Sequence, residues 1–133
     1  MATTDPIADL LTRIRNAQRA RKETCIVPAS SMKEKIVRIL KEADYIDSYV
    51  RQEEKVQDNL ILKLKYIGKL QKPVIDTIKR VSKPGRRVYR ACADIKPLLE
   101  GYGMTILSTS KGILKDVDAK KQKVGGEVIC EIW

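Results

Sequence analysis

The sequence predicts an α+β protein, with an N-terminal α-β-α-β-β lobe over residues 1–67 packed against a smaller, β-rich C-terminal lobe over residues 68–133. Three observations carry this. Two stretches of the first half repeat apolar residues at helical spacing. The stretch from Leu60 sets Leu62, Leu64 and Tyr66 against Lys63 and Lys65, the period of a half-buried strand. From Ser82 onward the chain breaks into short strand-like runs separated by Pro and Gly.

Asp5 before Pro6 is a helix start, since proline's fixed φ suits the first turn and Asp can accept from free backbone N–H groups. Ile7, Leu10, Leu11, Ile14 and Ala17 then form one apolar stripe. A short extended segment through Cys25, Ile26 and Val27 stops at Pro28. Ser31 and Glu34 fit a capping box for a second helix with Met32, Ile36, Ile39, Leu40 and Ala43 inward. A strand over residues 45–51, a polar turn and the strand from Leu60 complete the lobe. Residues 68–73 are the candidate boundary, after which Pro73, Val74, Ile75, Ile78 and Val81 suit a short helix. Beyond it, K-P-G-R is a β-turn centred on Pro84 and Gly85, residues 86–92 a strand, and residues 97–100 one helical turn ended by Gly101. Residues 104–109, 113–115 and 127–133 supply further strands.

The chain of 133 residues is 43% apolar, enough to fold alone, and its net charge of +10 with a pI near 9.6 favours a polyanionic partner. The second lobe holds most of the excess: Lys79, Arg80, Lys83, Arg86, Arg87 and Arg90 crowd one turn, with no acid between Asp76 and Asp94. No apolar run approaches the roughly 18 residues of a membrane span, and Asp5, Pro6 and Asp9 stand where a signal peptide would need basic and then apolar residues. The chain therefore reads as cytoplasmic. Cys25, Cys92 and Cys130 are odd in number and set in apolar runs, which reads as buried hydrophobes rather than a disulfide framework. Histidine is absent, removing the usual general base, the commonest metal ligand and every His-assisted nucleophile. We expect neither enzyme nor cofactor nor metal.

The basic turn is either a solvated surface or a phosphate site, and its density and rigid Pro-Gly centre favour phosphate. Tyr89 within it is either core or a platform for one unpaired base. The S-T-S-K-G segment offers the hydroxyls of Ser108, Thr109 and Ser110 beside Lys111, suited to base edges and 2′-hydroxyls, or else to the local backbone of a turn. Ser108 and Lys111 also match the S-x-x-K nucleophile motif of penicillin-binding proteins, but the companion S-D-N and K-T-G motifs are missing. Gly125 and Gly126 read as a loop end or as a place of close backbone approach to a ligand. Glu127, an acid amid phosphate-binding residues, reads as an acceptor for a base amino group or as an organiser of neighbouring cations.

Four segments, T-D-P-I-A-D-L-L-T-R-I-R-N-A, S-K-P-G-R-R-V-Y, S-T-S-K-G-I-L and G-G-E-V-I-C-E-I-W, together resemble the bacterial-type small-subunit ribosomal protein eight family over essentially the whole chain. The resemblance implies a primary binder of the central domain of small-subunit ribosomal RNA that helps assemble the platform. It implies a site at Lys83, Tyr89, Ser108, Thr109, Ser110 and Glu127, shaped by Gly125 and Gly126, with Thr4, Arg15 and Asn16 on a second RNA segment. It further implies small-subunit proteins five and twelve as neighbours, and repression of its own operon through a similar messenger structure. Arg86 and Arg87 are more basic than the family's common Gly-Leu-Arg, and Cys130 also departs from its pattern. The competing readings are a small Ser-Lys or nucleic-acid-processing enzyme and a non-specific architectural DNA binder.

Overall fold

The computed structural model describes residues 5–133, which form two units: Pro6–Ile75, and Asp5 together with Asp76–Trp133. Helices and antiparallel sheets occur in both, an α+β fold of two lobes.

In the first unit, α1 (Pro6–Arg19) begins at the expected proline, and its stripe of Ile7, Leu10, Leu11, Ile14 and Ala17 is buried. After β1 (Thr24–Pro28) comes α2 (Ser31–Glu42), whose cap is Ser30 rather than Ser31. Ser30 has the extended backbone a cap requires, and its Oγ accepts from Lys33 N–H at 3.2 Å; Ser31 is already helical. That one-residue shift accompanies a different buried face. Lys33, Ile36, Val37 and Leu40 point inward and Met32 lies outside, with Lys33 placing its ammonium 3.2 Å from Pro28 O. β2 (Ile46–Gln52) and β3 (Asn59–Leu64) complete a sheet in the order β1-β3-β2. α1 packs on β1 and α2 on β2, over the face that buries Cys25, Val27, Leu60, Leu62 and Leu64. The predicted boundary region is a small hairpin, β4 (Tyr66–Ile67) paired with β5 (Lys72–Pro73).

The helix predicted from Pro73 does not form. Ile78–Arg80 is instead a strand, β6, paired antiparallel with the last strand of the chain. Apolar residues at 73, 74, 75, 78 and 81 suit either period over so short a run, and a partner strand distant in sequence decides. The predicted strand 86–92 shrinks to β7 (Tyr89–Arg90), because the Lys83–Arg86 turn closes before it and a 3₁₀ turn over Cys92–Asp94 follows. Leu98–Gly101 is a single helical turn, but Leu99 and Glu100 in it take positive φ. β8 (Met104–Thr109) and β9 (Gly112–Lys115) form a hairpin. They lead into α3 (Asp116–Lys121), a helix too short for the periodicity to reveal, and then β10 (Gly126–Ile132). The sheet runs β6-β10-β8-β9, with β7 also on β10. One core cluster of this unit gathers Ile95, Leu107, Ala119 and Val128, with Val81, Val88, Leu114 and Val124 around it. Among the described residues no helix is long and apolar enough to cross a membrane.

Candidate nucleic-acid interface

The centre of the C-terminal sheet brings together residues from three distant motifs. Opposite partners on adjacent antiparallel strands carry their side chains on the same face. The register Tyr89↔Glu127↔Ser108 therefore makes one row across β7, β10 and β8. The next row, Arg90↔Gly126↔Thr109, belongs to the opposite face, so Arg90 does not stand beside Tyr89. Tyr89 is 69% exposed, which rules out the core reading for its ring.

Ser82 holds this row in place. It is fully buried; its Oγ donates to the Glu127 carboxylate and accepts from Val88 N–H at 3.2 Å. Its N–H bonds Val128 O, and Val128 N–H bonds Val88 O, closing a circuit around the base of the turn. Arg87 Nη1 reaches the same carboxylate oxygen of Glu127, Oε2, at 3.1 Å. Glu127 thus organises Arg87 through Oε2, while Oε1 accepts no hydrogen bond from any described residue.

The turn itself is as expected, with Lys83 and Arg86 exchanging backbone hydrogen bonds of 3.0 and 2.9 Å around Pro84 and Gly85. Lys83, Arg86 and Arg87 are all exposed. Arg80 is not part of this surface: its guanidinium pairs with Asp5 at 3.1 Å and donates to Ile129 O at 2.7 Å, leaving its side chain 11% exposed. In S-T-S-K-G, Thr109 Oγ1 donates to Gly112 O at 2.8 Å and accepts from Lys111 N–H at 3.1 Å, so this hydroxyl serves the hairpin turn. Ser110 and Lys111 are exposed at its tip, and Ser108 is half-buried in the row. The two glycines answer to the sheet: a Cβ on Gly126 would stand 2.1 Å from Ser108 O, and one on Gly125 2.4 Å from Arg90 O. The close approach is thus between neighbouring strands of the chain itself.

The profile of the family described as ribosomal protein S8 matches residues 5–133. The chain belongs to the ribosomal protein S8 family. It is 52% identical over its full length to the small ribosomal subunit protein uS8 of a Synechococcus species, and 52% identical to that of Anaeromyxobacter dehalogenans. The uS8 of Persephonella marina is 51% identical over 98% of each chain. These relatives are named as ribosomal proteins, not enzymes, and the Ser-Lys reading of this S8-family chain falls with them. The geometry agrees, for β8 ends at Thr109 and Ser108 stands in a strand rather than at a helix start.

Of the remaining expected residues, Thr4 lies outside the described residues. Arg15, half-buried, and Asn16, exposed, lie on α1 in the first unit. There Asn16, Arg13 and Lys22 line a depression of about 600 Å³ beside β1, with Arg13 held by Asp9 at 2.9 Å. Sequence reasoning missed Ser82. Its one signal was its place before Lys-Pro-Gly, and nothing local pairs it with a glutamate 45 residues away. Cys25 and Cys130 are buried and Cys92 is half-buried; burial pushes the Cys130 thiol up to about 12. Among the described residues no group of three or more His, Cys, Asp or Glu side chains is placed to hold a metal ion.

Proposed function

We propose that this chain is a primary binder of small-subunit ribosomal RNA in the cytoplasmic ribosome, gripping an irregular helix of the central domain during platform assembly. The observation that carries the reading is the Tyr89, Glu127 and Ser108 row beside the exposed basic turn. Lys83 and Arg86 neutralise phosphates and set the register, which any nucleic acid permits. Tyr89 stacks one unpaired base, Glu127 Oε1 accepts from a base amino group, and Ser108 and Ser110 meet base edges or 2′-hydroxyls. These contacts require bases exposed by bulges, because the deep, narrow major groove of regular A-form RNA excludes side chains. Arg87, compensated by Glu127, acts as a positioning residue; Lys111 adds charge at the hairpin tip; Gly125 and Gly126 keep the strands close enough for the row to form. Arg15 and Asn16, with Thr4, contact a second RNA segment.

In the same reading, small-subunit proteins five and twelve are its neighbours and a similar messenger structure lets it repress its own operon. The test is competition between a bulged helix and an unbulged helix of equal length at physiological salt, with crosslinking to total cellular RNA and sequencing to identify the target. Preference for the bulged helix and crosslinks concentrated in small-subunit RNA are expected. Equal affinity for both helices and for duplex DNA would reduce the surface to charge alone.

A further inference from the structure

A second feature of the C-terminal unit lies outside the Tyr89 row. Between residues 95–97 and α3 is a cleft of about 400 Å³, at the small end of the range for ligand pockets. Its walls are Ile95, Pro97 and Val117, and its rim carries Lys96, Lys120 and Lys121. Val117 is 51% exposed on a helix whose other face packs Ala119 into the core, so its exposure is not forced by a lack of interior positions. Lys120 donates to Ile95 O at 3.1 Å and stays at the edge, while Lys96 and Lys121 pair with no described acid. The one acid of the lining, Asp116, is 4% exposed, and burial pushes its carboxyl up from the ordinary carboxylate range. Its side chain is withdrawn from the surface, and the rim is left to Lys96, Lys120 and Lys121.

We propose that this cleft docks a segment of another protein that inserts one apolar side chain flanked by carboxylates. Charge complementarity selects the flanks, since the unpaired ammonium groups of Lys96 and Lys121 stand at the mouth of an apolar hole. The lining selects the centre. A nucleobase seated there would lay its hydrogen-bonding edges against the apolar walls of Ile95, Pro97 and Val117, with only the rim lysines as donors and no aromatic ring to stack on. An aliphatic or aromatic side chain has no such cost and removes the exposed apolar surface of Val117 from water.

The test pans the full-length protein against a fully random twelve-residue peptide library, with Val117→Asp and Lys96→Glu/Lys121→Glu proteins panned in parallel. Peptides with an apolar residue between Asp or Glu are expected to enrich on the unsubstituted protein. The best of them should bind at least tenfold more weakly to Val117→Asp, and Lys96→Glu/Lys121→Glu should shift the preference to basic flanks. Binding of the bulged RNA helix by Val117→Asp should stay unchanged, which confirms an intact fold and separates this site from the RNA surface. No compositional enrichment, enrichment indifferent to Val117→Asp, or displacement of the peptide by a random single-stranded RNA twelve-mer from the same methyl resonances of Ile95 and Val117 would each overturn the proposal.

Discussion

Replacing Ser82 with alanine should damage stability and recognition together, because one buried hydroxyl serves both the Val88 N–H, which has no other described acceptor, and the Glu127 carboxylate. Val88 N–H loses its acceptor in a part-buried position, a loss of about 1–3 kcal/mol. Glu127 loses a donor to a charged oxygen, about 1.5–3 kcal/mol in general, but keeps Arg87 and some access to water, so the lower end applies. A loss of about 2.5–4.5 kcal/mol follows, on the order of 10–18 °C in Tm for a chain of this size. Thermal melts of Ser82→Ala, Glu127→Gln and the double variant give the coupling energy, expected to be on the order of 1–2 kcal/mol because the two side chains share a bond. Specific binding of the bulged helix should fall more than random-duplex binding, since Arg87 and Glu127 lose their common anchor. A Tm within about 2 °C of the unsubstituted protein, or strictly additive single and double variants, would refute the role assigned to Ser82.

Lys83→Ala combined with Arg86→Ala should flatten the log–log salt dependence of RNA binding by about two units or slightly less; an unchanged slope would mean that the turn faces solvent. Ser110→Ala should weaken specific binding by about 1 kcal/mol, roughly fivefold, and leave the melt alone, whereas Thr109→Val should lower the melt by releasing Lys111 N–H and Gly112 O. Parallel loss of specific and random binding in Ser110→Ala would make its hydroxyl structural. Cys130 predicts an alkaline limb: burial raises its thiol from 9.0 to about 12, so folding favours the protonated form. Its contribution is complete below about pH 9 and is lost as pH rises towards 12, about 4 kcal/mol at ~1.4 kcal/mol per pH unit. Urea titrations across that range should show a shallower decline for Cys130→Ala, and identical declines would disprove the assignment.

The fold and the candidate site were legible in the sequence to different depths. The stripe of α1 and the alternation of β3 follow from periods long enough to be unambiguous, and their core residues are buried as expected. The sequence places the cap of α2 at Ser31, one residue late, since Ser30 and Ser31 are chemically equal and only the backbone dihedrals distinguish them. The sequence suggests a helix where β6 forms and gives no sign of α3, because each is shorter than the window over which periodicity speaks.

Among the site residues, the Lys83–Arg86 turn needed only Pro84 and Gly85, whose local preferences set its geometry without help from the rest of the chain. Charge, the absence of histidine and the four family segments are likewise properties of the sequence alone, and they determined the class of partner and the family. Which of the candidate residues stand side by side is fixed only by the packed sheet. Sheet register, set by partners up to 45 residues apart, puts Tyr89, Glu127 and Ser108 in one row, sends Arg90 to the opposite face, and gives Glu127 to Ser82 and Arg87. The sequence leaves Gly125 and Gly126 open between a loop end and a close approach to a ligand, and only the packed sheet shows that a Cβ there would strike the backbone of Arg90 and Ser108.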